Sequence, residues 1–492
     1  MGAPESMNLL NPAAWDGRLH ANGQWLVPQG GTRDVIEPAT GEHLTTTGVA
    51  DAADMNAAIG GAIAAQAAWA ALPPRDRAAV FHRAAAILQQ HFDELAMTVT
   101  RETGAILPKG QHEVREAITL CQIAAGLPLA AQGQVLPSVP GRLSFARRVP
   151  HGVVGVISPF NFPLILGLRS VAPALALGNA VVLKPDTRTP VSGGFLMARV
   201  FEAAGLPAGV LQVLPGDAPA GEALVSDPRV PMIAFTGSPG VGRRIGELAG
   251  RHLKKVSLEL GGANSLIILD DADPDLAASN AAWGAWLHQG QICMASNRIL
   301  VHEAIFVAIK ERLVAKATHL PVGDGASGQV ALGPMIDAKQ LQHVHAMVQD
   351  SIKAGAKLEA GGTHEGLFYK PTVLSNVKPG MRVFDEETFG PVANLIVFRT
   401  DDEAVALANN SQGGLAAAVI GKSVGRAMAI GQRLRAGMVH INDQTVNDEC
   451  TNPFGGPGIG GNGGSVGGPA DMDEYTQWQW ITVKDTPPQF PF

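Results

Sequence analysis

Cys293, in GQICMAS at 290–296, is one of only three cysteines in the chain. A thiolate there could attack a carbonyl carbon. Flanked by Ile292 and Met294, it reads more simply as a small buried hydrophobe. His288 is close by, but no Asn or Asp stands ready to orient its ring, so a Cys–His pair is the weaker reading. Glu259 precedes Cys293 by 34 positions, in the apolar run LELGGANS at 258–265. Desolvation would lift its carboxylate toward neutrality, where a general base works best. A salt-bridged or edge-strand carboxylate explains the same residues equally well. FTGSPGVGRRIGELAG, 235–250, runs from an apolar strand through Gly237, Ser238, Gly240 and Gly242 into a helix pattern. Such a turn offers backbone N–H groups and a helix N-terminus to a diphosphate. The spacing G-x-G-x-x-G occurs at Gly458, Gly460 and Gly463, but no strand precedes it and no helix pattern follows, so it is rejected as a dinucleotide fingerprint. Cys121 and Cys450 read as structural. His343 and His345, two apart in a helical stretch, make a poor metal pair, and no metal is expected.

These residues need rigid elements to hold them. GVVGVIS (152–158), NAVVLKP (179–185), GVLQVLPG (209–216), MIAFTGS (232–238) and NSLIILD (264–270) are continuously apolar, as strands buried on both faces of a parallel sheet are. Residues 51–71 and 76–100 read as helices, as does TPVSGGFLMARVFEAAGLP, so the series is βαβ and the class α/β. A second α/β series begins at NRILVHEAIFVAIKERLVAKA, 297–317, and continues through ANLIVFR and AAAVIG to GMVHIN, 437–442. Residues 131–150 form a candidate hairpin turning at Pro140–Gly141. YTQWQWITV, 475–483, alternates and puts Trp478 and Trp480 on one face of an edge or intersubunit strand.

Bulk properties narrow the class. A chain of 492 residues has room for two or three domains. Net charge is −7 and the basic clusters are short, which argues against nucleic acid as a partner. The odd, sparse cysteine set suits a reducing compartment. MGAPESMNLLNPAAWDG lacks the pattern of a signal peptide, and no run of apolar residues is long enough to span a bilayer. A cytoplasmic location with no membrane partner is the expectation.

Taken in order, PFNFP (159–163), GNAVVLKP (178–185), FTGS (235–238), LELGG (258–262), GQIC (290–293), EETFGP (386–391) and NPFGG (452–456) closely resemble the aldehyde dehydrogenase superfamily, from about residue 25 to the end. Within it, the stretch from Asn161 to Thr189 and the ending WITVKDTPPQFPF look most like the bacterial benzaldehyde and vanillin dehydrogenases. The resemblance implies a Rossmann-type cofactor domain (1–130 and 151–260), an α/β catalytic domain (261–469) and a small oligomerisation arm (131–150 and 470–492). It implies a homodimer or homotetramer.

The resemblance also implies roles. Cys293 matches the nucleophile, Glu259 the base that activates water, and the Asn161 side chain with the Cys293 N–H the oxyanion donors. Lys184 matches the lysine at the adenosine ribose; Gly237, Ser238 and Gly242 belong to the diphosphate turn, with Leu260 beside them. Glu387 matches the carboxylate on the nicotinamide ribose and Phe389 the ring against the nicotinamide. Ser158, Pro159 and Phe160 fall beside the cofactor. Leu166, Arg169, Ile292, Met294 and Phe454 are expected along the aldehyde tunnel, with Arg169 either at its mouth or in an interior salt bridge. Thr187 stands where many NAD-specific members carry a glutamate, so the expected cofactor is NAD with room for NADP. The expected activity is oxidation of an aromatic aldehyde to its acid. Aliphatic aldehydes, semialdehydes, CoA acylation and a cysteine esterase are the rivals, and Glu259 argues against CoA acylation.

Overall fold

The computed structural model describes residues 9–411 and 413–492. Residues 1–8, part of the stretch examined for a leader and of the 1–130 segment, lie outside the described residues.

Three larger sheets, beside two two-stranded ribbons, organise the described residues. The first has seven strands in the order Lys255–Leu260, Met232–Gly237, Val153–Ile157, Ala180–Lys184, Leu211–Val213, Leu19–Ala21 and Gln24–Leu26. The first five are parallel, and the N-terminal hairpin closes one edge antiparallel. Continuous apolarity is explained by the pleat: Val154, Val156, Val181 and Leu183 face one core, while Val153, Ile157, Ala180 and Val182 face the other. Helix Pro163–Ala176 packs on the first face, and helix Ala52–Ala71 on the second. A capping box of Asp51 and Asp54 starts the latter helix, a device worth about 1 kcal/mol.

From Val153–Ile157 the chain builds outward in both directions. Ala180–Lys184 follows on one side and Met232–Gly237 lies on the other. The crevice at the carboxyl ends of these strands is where open α/β sheets bind ligands.

The second sheet runs Lys357–Ala360, Thr372–Ser375, Val392–Phe398, Arg298–His302, Ser265–Ile268, Ala416–Ile420 and Met438–Ile441. It too is buried on both faces. The apolar run at 264–270 reads with the first series, but Ser265–Ile268 pairs with Arg298–His302 and Ala416–Ile420 and belongs here. Gly261–Gly262 breaks the chain after Leu260 and carries it across. The outer strand of the first sheet is instead Lys255–Leu260, which bears Glu259.

The third sheet pairs Gly133–Val135, Leu143–Pro150 and Thr476–Val483, with Gly141 at φ +77° in the hairpin turn. Trp478 and Trp480 are both exposed on it. The helix expected over 76–100 is two, Pro74–Gln90 and Phe92–Thr103. They are hinged at His91, whose φ of −104° and ψ of 21° let both apolar faces reach helix Leu107–Gly126. The stretch 189–207 opens as a π-turn, Val191–Phe195, before helix Leu196–Ala203. Among the described residues no single helix is long and apolar enough to cross a membrane.

Candidate active site

A cleft of about 940 Å³ opens at the carboxyl ends of the first sheet and runs to Cys293. Its outer part is apolar, with Val225, Val241, Ile245 and Leu248 on the wall. Lys184 follows, its Nζ donating to the Gly216 carbonyl at 2.7 Å; burial pulls its ammonium below the usual lysine value. Ser238 holds the N-cap position of helix Pro239–Arg251 without a capping side-chain bond, and Ser238, Pro239 and Gly240 bring the helix N-terminus to the cleft. Ser158, Pro159, Phe160 and Gly237 line the same stretch.

Glu387 and Phe389 form the inner wall. A Cβ at Gly261 would overlap the Glu387 carboxylate where it stands, so the glycine leaves room for this placement of the side chain. Burial pushes the Glu387 carboxyl up to about 8, and its Oε1 has no partner. Phe389 holds φ at +49°, a strained value for a bulky residue, and its ring meets Phe160 edge to face at 5.9 Å. The Arg188 guanidinium lies 4.1 Å from the centre of the Phe160 ring and pairs with Asp186 and Asp337.

Glu259, Asn161, Leu166 and Cys293 meet at the deep end. Glu259 is 4 % exposed and neither carboxylate oxygen has a partner. It lies on an edge strand, as one reading held, but without a salt bridge. Gly461 bridges to it and Gly455 packs beside it. The glycine-rich segment rejected as a fingerprint is thus the cover over this carboxylate. Burial raises its carboxyl well above the usual range, against the pull of the Arg169 charge.

Cys293 is half-buried. Burial, then the carboxylates of Glu387, Asp448 and Glu259, push its thiol up. Its loop hangs between two asparagines. Asn161 Nδ2 donates to the Gln291 carbonyl at 2.9 Å. Asn264 Nδ2 donates to the Cys293 and Ala295 carbonyls at 2.7 and 3.1 Å, while its Oδ1 accepts the Ala416 N–H at 2.9 Å. Among the described residues the Cys293 N–H donates to no protein group. Asn161 Nδ2 carries a second amide hydrogen, and Asn161 lines the same cleft as Cys293. Two donors and a sulfur around one space can hold a carbonyl oxygen while its carbon meets the thiol.

Several expected residues stand behind the wall. Gly242 and Leu260 pack on each other, so the glycine at 242 serves helix–strand approach rather than a phosphate. Thr187 is buried and accepts a bond from Arg33 Nη1 at 2.6 Å; Arg33 is otherwise paired with Asp217. Ile292, Met294 and Phe454 are core residues next to the site, not cleft lining. Arg169 is not at an open mouth. It is buried, donates to Asp448 Oδ2 at 2.7 Å, and lies 4.8 Å from the centre of the Phe454 ring. Burial opposes its charge, but Asp448 and Cys450 outweigh that and hold it raised.

Comparison with known proteins agrees with this geometry. The sequence pattern described as "Aldehyde dehydrogenase family" matches residues 25–481. A vanillin dehydrogenase of Amycolatopsis sp. is 52% identical, over 99% of this chain and 100% of its own. A benzaldehyde dehydrogenase [NAD(+)] of Pseudomonas putida is 50% identical, over 97% and 98%. The crystal structure of betaine aldehyde dehydrogenase from Staphylococcus aureus in complex with NAD+ superposes with a TM-score of 0.93 at 31% identity, covering 100% of this chain and 98% of that one. A match this continuous, with the cleft, the cysteine and the carboxylate in one place, means that the chain belongs to the aldehyde dehydrogenase family.

Proposed function

We propose that this protein oxidises an aromatic aldehyde to the carboxylic acid with NAD as electron acceptor. The observation that carries the reading is the meeting of Cys293, Glu259 and Asn161 at the closed end of a dinucleotide-sized cleft, in a chain about half identical to vanillin and benzaldehyde dehydrogenases over its whole length.

The residues present fit NAD. The apolar outer wall suits an adenine, Lys184 a ribose, and the Ser238 helix start a diphosphate. Glu387, with an unpartnered oxygen over the gap that Gly261 leaves, suits the second ribose, and Phe389 the nicotinamide face. When bound, the nicotinamide supplies the hydride acceptor.

The chain does the rest. The Cys293 sulfur adds to the aldehyde carbon as its proton passes to Glu259, which releases it to solvent, giving a tetrahedral thiohemiacetal. Its oxyanion accepts bonds from the Asn161 amide and the Cys293 N–H, each donor worth on the order of 3 kcal/mol. Loss of hydride leaves a thioester on Cys293. Glu259 then takes a proton from water, whose oxygen attacks the thioester carbon, and the acid departs as sulfur regains its proton. An unpaired, desolvated carboxylate suits that task, because burial raises its affinity for a proton well above that of an ordinary carboxylate.

Arg169 would be the anchor for a semialdehyde carboxylate, but Asp448 already balances its charge, which favours an uncharged aromatic substrate. Further parts of the same reading are a cytoplasmic enzyme and a homo-oligomer joined through the arm of residues 131–150 and 470–492. Exposed Val135, Leu143, Trp478 and Trp480 support the joining role of the arm.

The test is a kinetic panel of benzaldehyde, vanillin, hexanal and succinic semialdehyde, each with NAD and with NADP. The aromatic aldehydes with NAD are expected to give the highest kcat/KM. Higher values for hexanal or succinic semialdehyde would overturn the substrate class. Aldehyde-dependent NAD reduction by Cys293→Ala would overturn the mechanism.

A further inference from the structure

Helix Leu107–Gly126 carries Lys109 and Glu113 one turn apart, paired with each other, their side chains 3% and 0% exposed. Burying two charges costs desolvation, and an apolar pair of similar size would pack as well. The use of this pair is seen in where its other bonds go. Lys109 Nζ donates to the Asn161 carbonyl at 2.7 Å and lies 4.5 Å from the centre of the Phe162 ring. Glu113 Oε2 accepts the N–H groups of Leu164 and Ile165 at 3.0 and 3.2 Å. Those two N–H groups open helix Pro163–Ala176, whose N-cap, Phe162, has no capping side chain. The two charges therefore grip the backbone on both sides of the 161–165 turn.

The opposite side of that turn is gripped as well. The His288 ring meets Phe162 edge to face at 5.4 Å. His288 and Gln289 hold φ at +47° and +56°, a strained conformation for residues with side chains, and both are buried. Two residues on, the Gln291 carbonyl accepts the Asn161 amide. Asn161 thus has its main chain fixed from one helix and its side chain fixed from the cysteine loop.

We propose that Lys109 and Glu113 are positioning residues that set how far the Asn161 amide reaches toward the substrate oxygen at Cys293. This rests on the reading of Asn161 as an oxyanion donor. Such a donor works only at hydrogen-bond distance from the developing charge, and a misplacement of about 1 Å can cost on the order of 100-fold in rate. Neither residue lines the cleft, so the pair acts through Asn161.

The test is a double-mutant cycle on the full chain. Lys109→Met/Glu113→Gln keeps the stem against Phe162 and the acceptor for both N–H groups, and removes both charges. It is combined with Asn161→Ala, reading kcat for benzaldehyde oxidation, KM for NAD, and NAD affinity by fluorescence titration. The charge-free pair is expected to lower kcat about 10–100-fold and to leave NAD affinity unchanged within about twofold. On top of Asn161→Ala, it should cost no more than about threefold further. Equal losses in both backgrounds would mean a general structural role and overturn the proposal, as would no loss at all. If Asn161→Ala alone leaves kcat unchanged, the oxyanion reading fails and the proposal falls with it. If only Asn161→Ala lowers kcat, the positioning proposal alone fails. Should the paired variant not fold, Glu113→Gln by itself enters the same cycle under the same criteria.

Discussion

Replacing Asn264 by alanine removes three hydrogen bonds at once, to the Cys293 and Ala295 carbonyls and from the Ala416 N–H. Asn264 is buried, so water cannot replace all three partners. A lost bond costs about 1 kcal/mol net and a stranded buried group about 1–3, which puts the total near 3–5 kcal/mol. At roughly 2–3 °C per kcal/mol, the thermal midpoint should fall by roughly 6–15 °C. The Cys293 carbonyl is one anchor of the loop that aims the sulfur. Freeing it should lower kcat on the order of 100-fold while aldehyde KM changes little. Asn264→Asp sharpens the test. It keeps an acceptor for Ala416 but turns carboxylate oxygen toward two carbonyl oxygens, so it should be at least as damaging as alanine. Scanning calorimetry and steady-state kinetics on the two variants check both parts. A midpoint within about 2 °C of wild type, with kcat unchanged, would refute the reasoning.

Three further outcomes are expected. In the proposed mechanism Glu259 acts ionised, and its carboxyl is held well above the usual range, so kcat should fall as pH drops through that raised value. Glu259→Gln should lower kcat about 100-fold or more and abolish the acidic limb; a limb that survives in the variant places the base elsewhere. Glu387 is raised from 4.5 to about 8, so the folded chain binds this proton more tightly than the unfolded one. Its stabilising effect is complete below the unfolded value and is lost as pH rises through the folded one, so stability of the unliganded protein should decline between about pH 4.5 and 8. Glu387→Gln should flatten that decline in thermal midpoints taken from pH 5 to 9. Arg169→Met breaks the pair with Asp448 and should cost about 3 kcal/mol, with Arg169→Met/Asp448→Asn recovering much of it in the same melts; a double variant no more stable than the single would assign the loss to packing.

What the sequence reveals depends on how local the signal is. Strands of the first sheet are legible because burial on both faces leaves continuous apolar runs. Cys293 and Glu259 stand out because the motifs that carry the family resemblance are contiguous, and the fold brings both to one cleft. Asn264 stands inside LELGGANS yet gives no sign of its role, because its partners lie 29, 31 and 152 positions away. Lys109 and Glu113 have the spacing of any exposed i,i+4 pair on a helix, and only the fold buries them. Gly242 looks like part of a phosphate turn because packing glycines and phosphate-binding glycines share one pattern. Arg169 could be placed only once Asp448, 279 residues on, was seen to reach it.

The third sheet has a consequence for the order in which the chain becomes an enzyme. Trp480 bonds to Ser144 across 336 residues, so Leu143–Pro150 waits for its partner strand through most of synthesis. At about 5–20 residues per second that wait is roughly 17–67 s. The cover over Glu259, Gly455 to Gly461, is also made late. Until it arrives, Glu259 stands on an open strand edge in water, where a carboxylate keeps its ordinary acidity. A chain without residues 455–492 would therefore expose Glu259 and present an unpaired strand edge to other chains. Burial of Glu259 and pairing of that strand edge are gained together, from the same region of the chain.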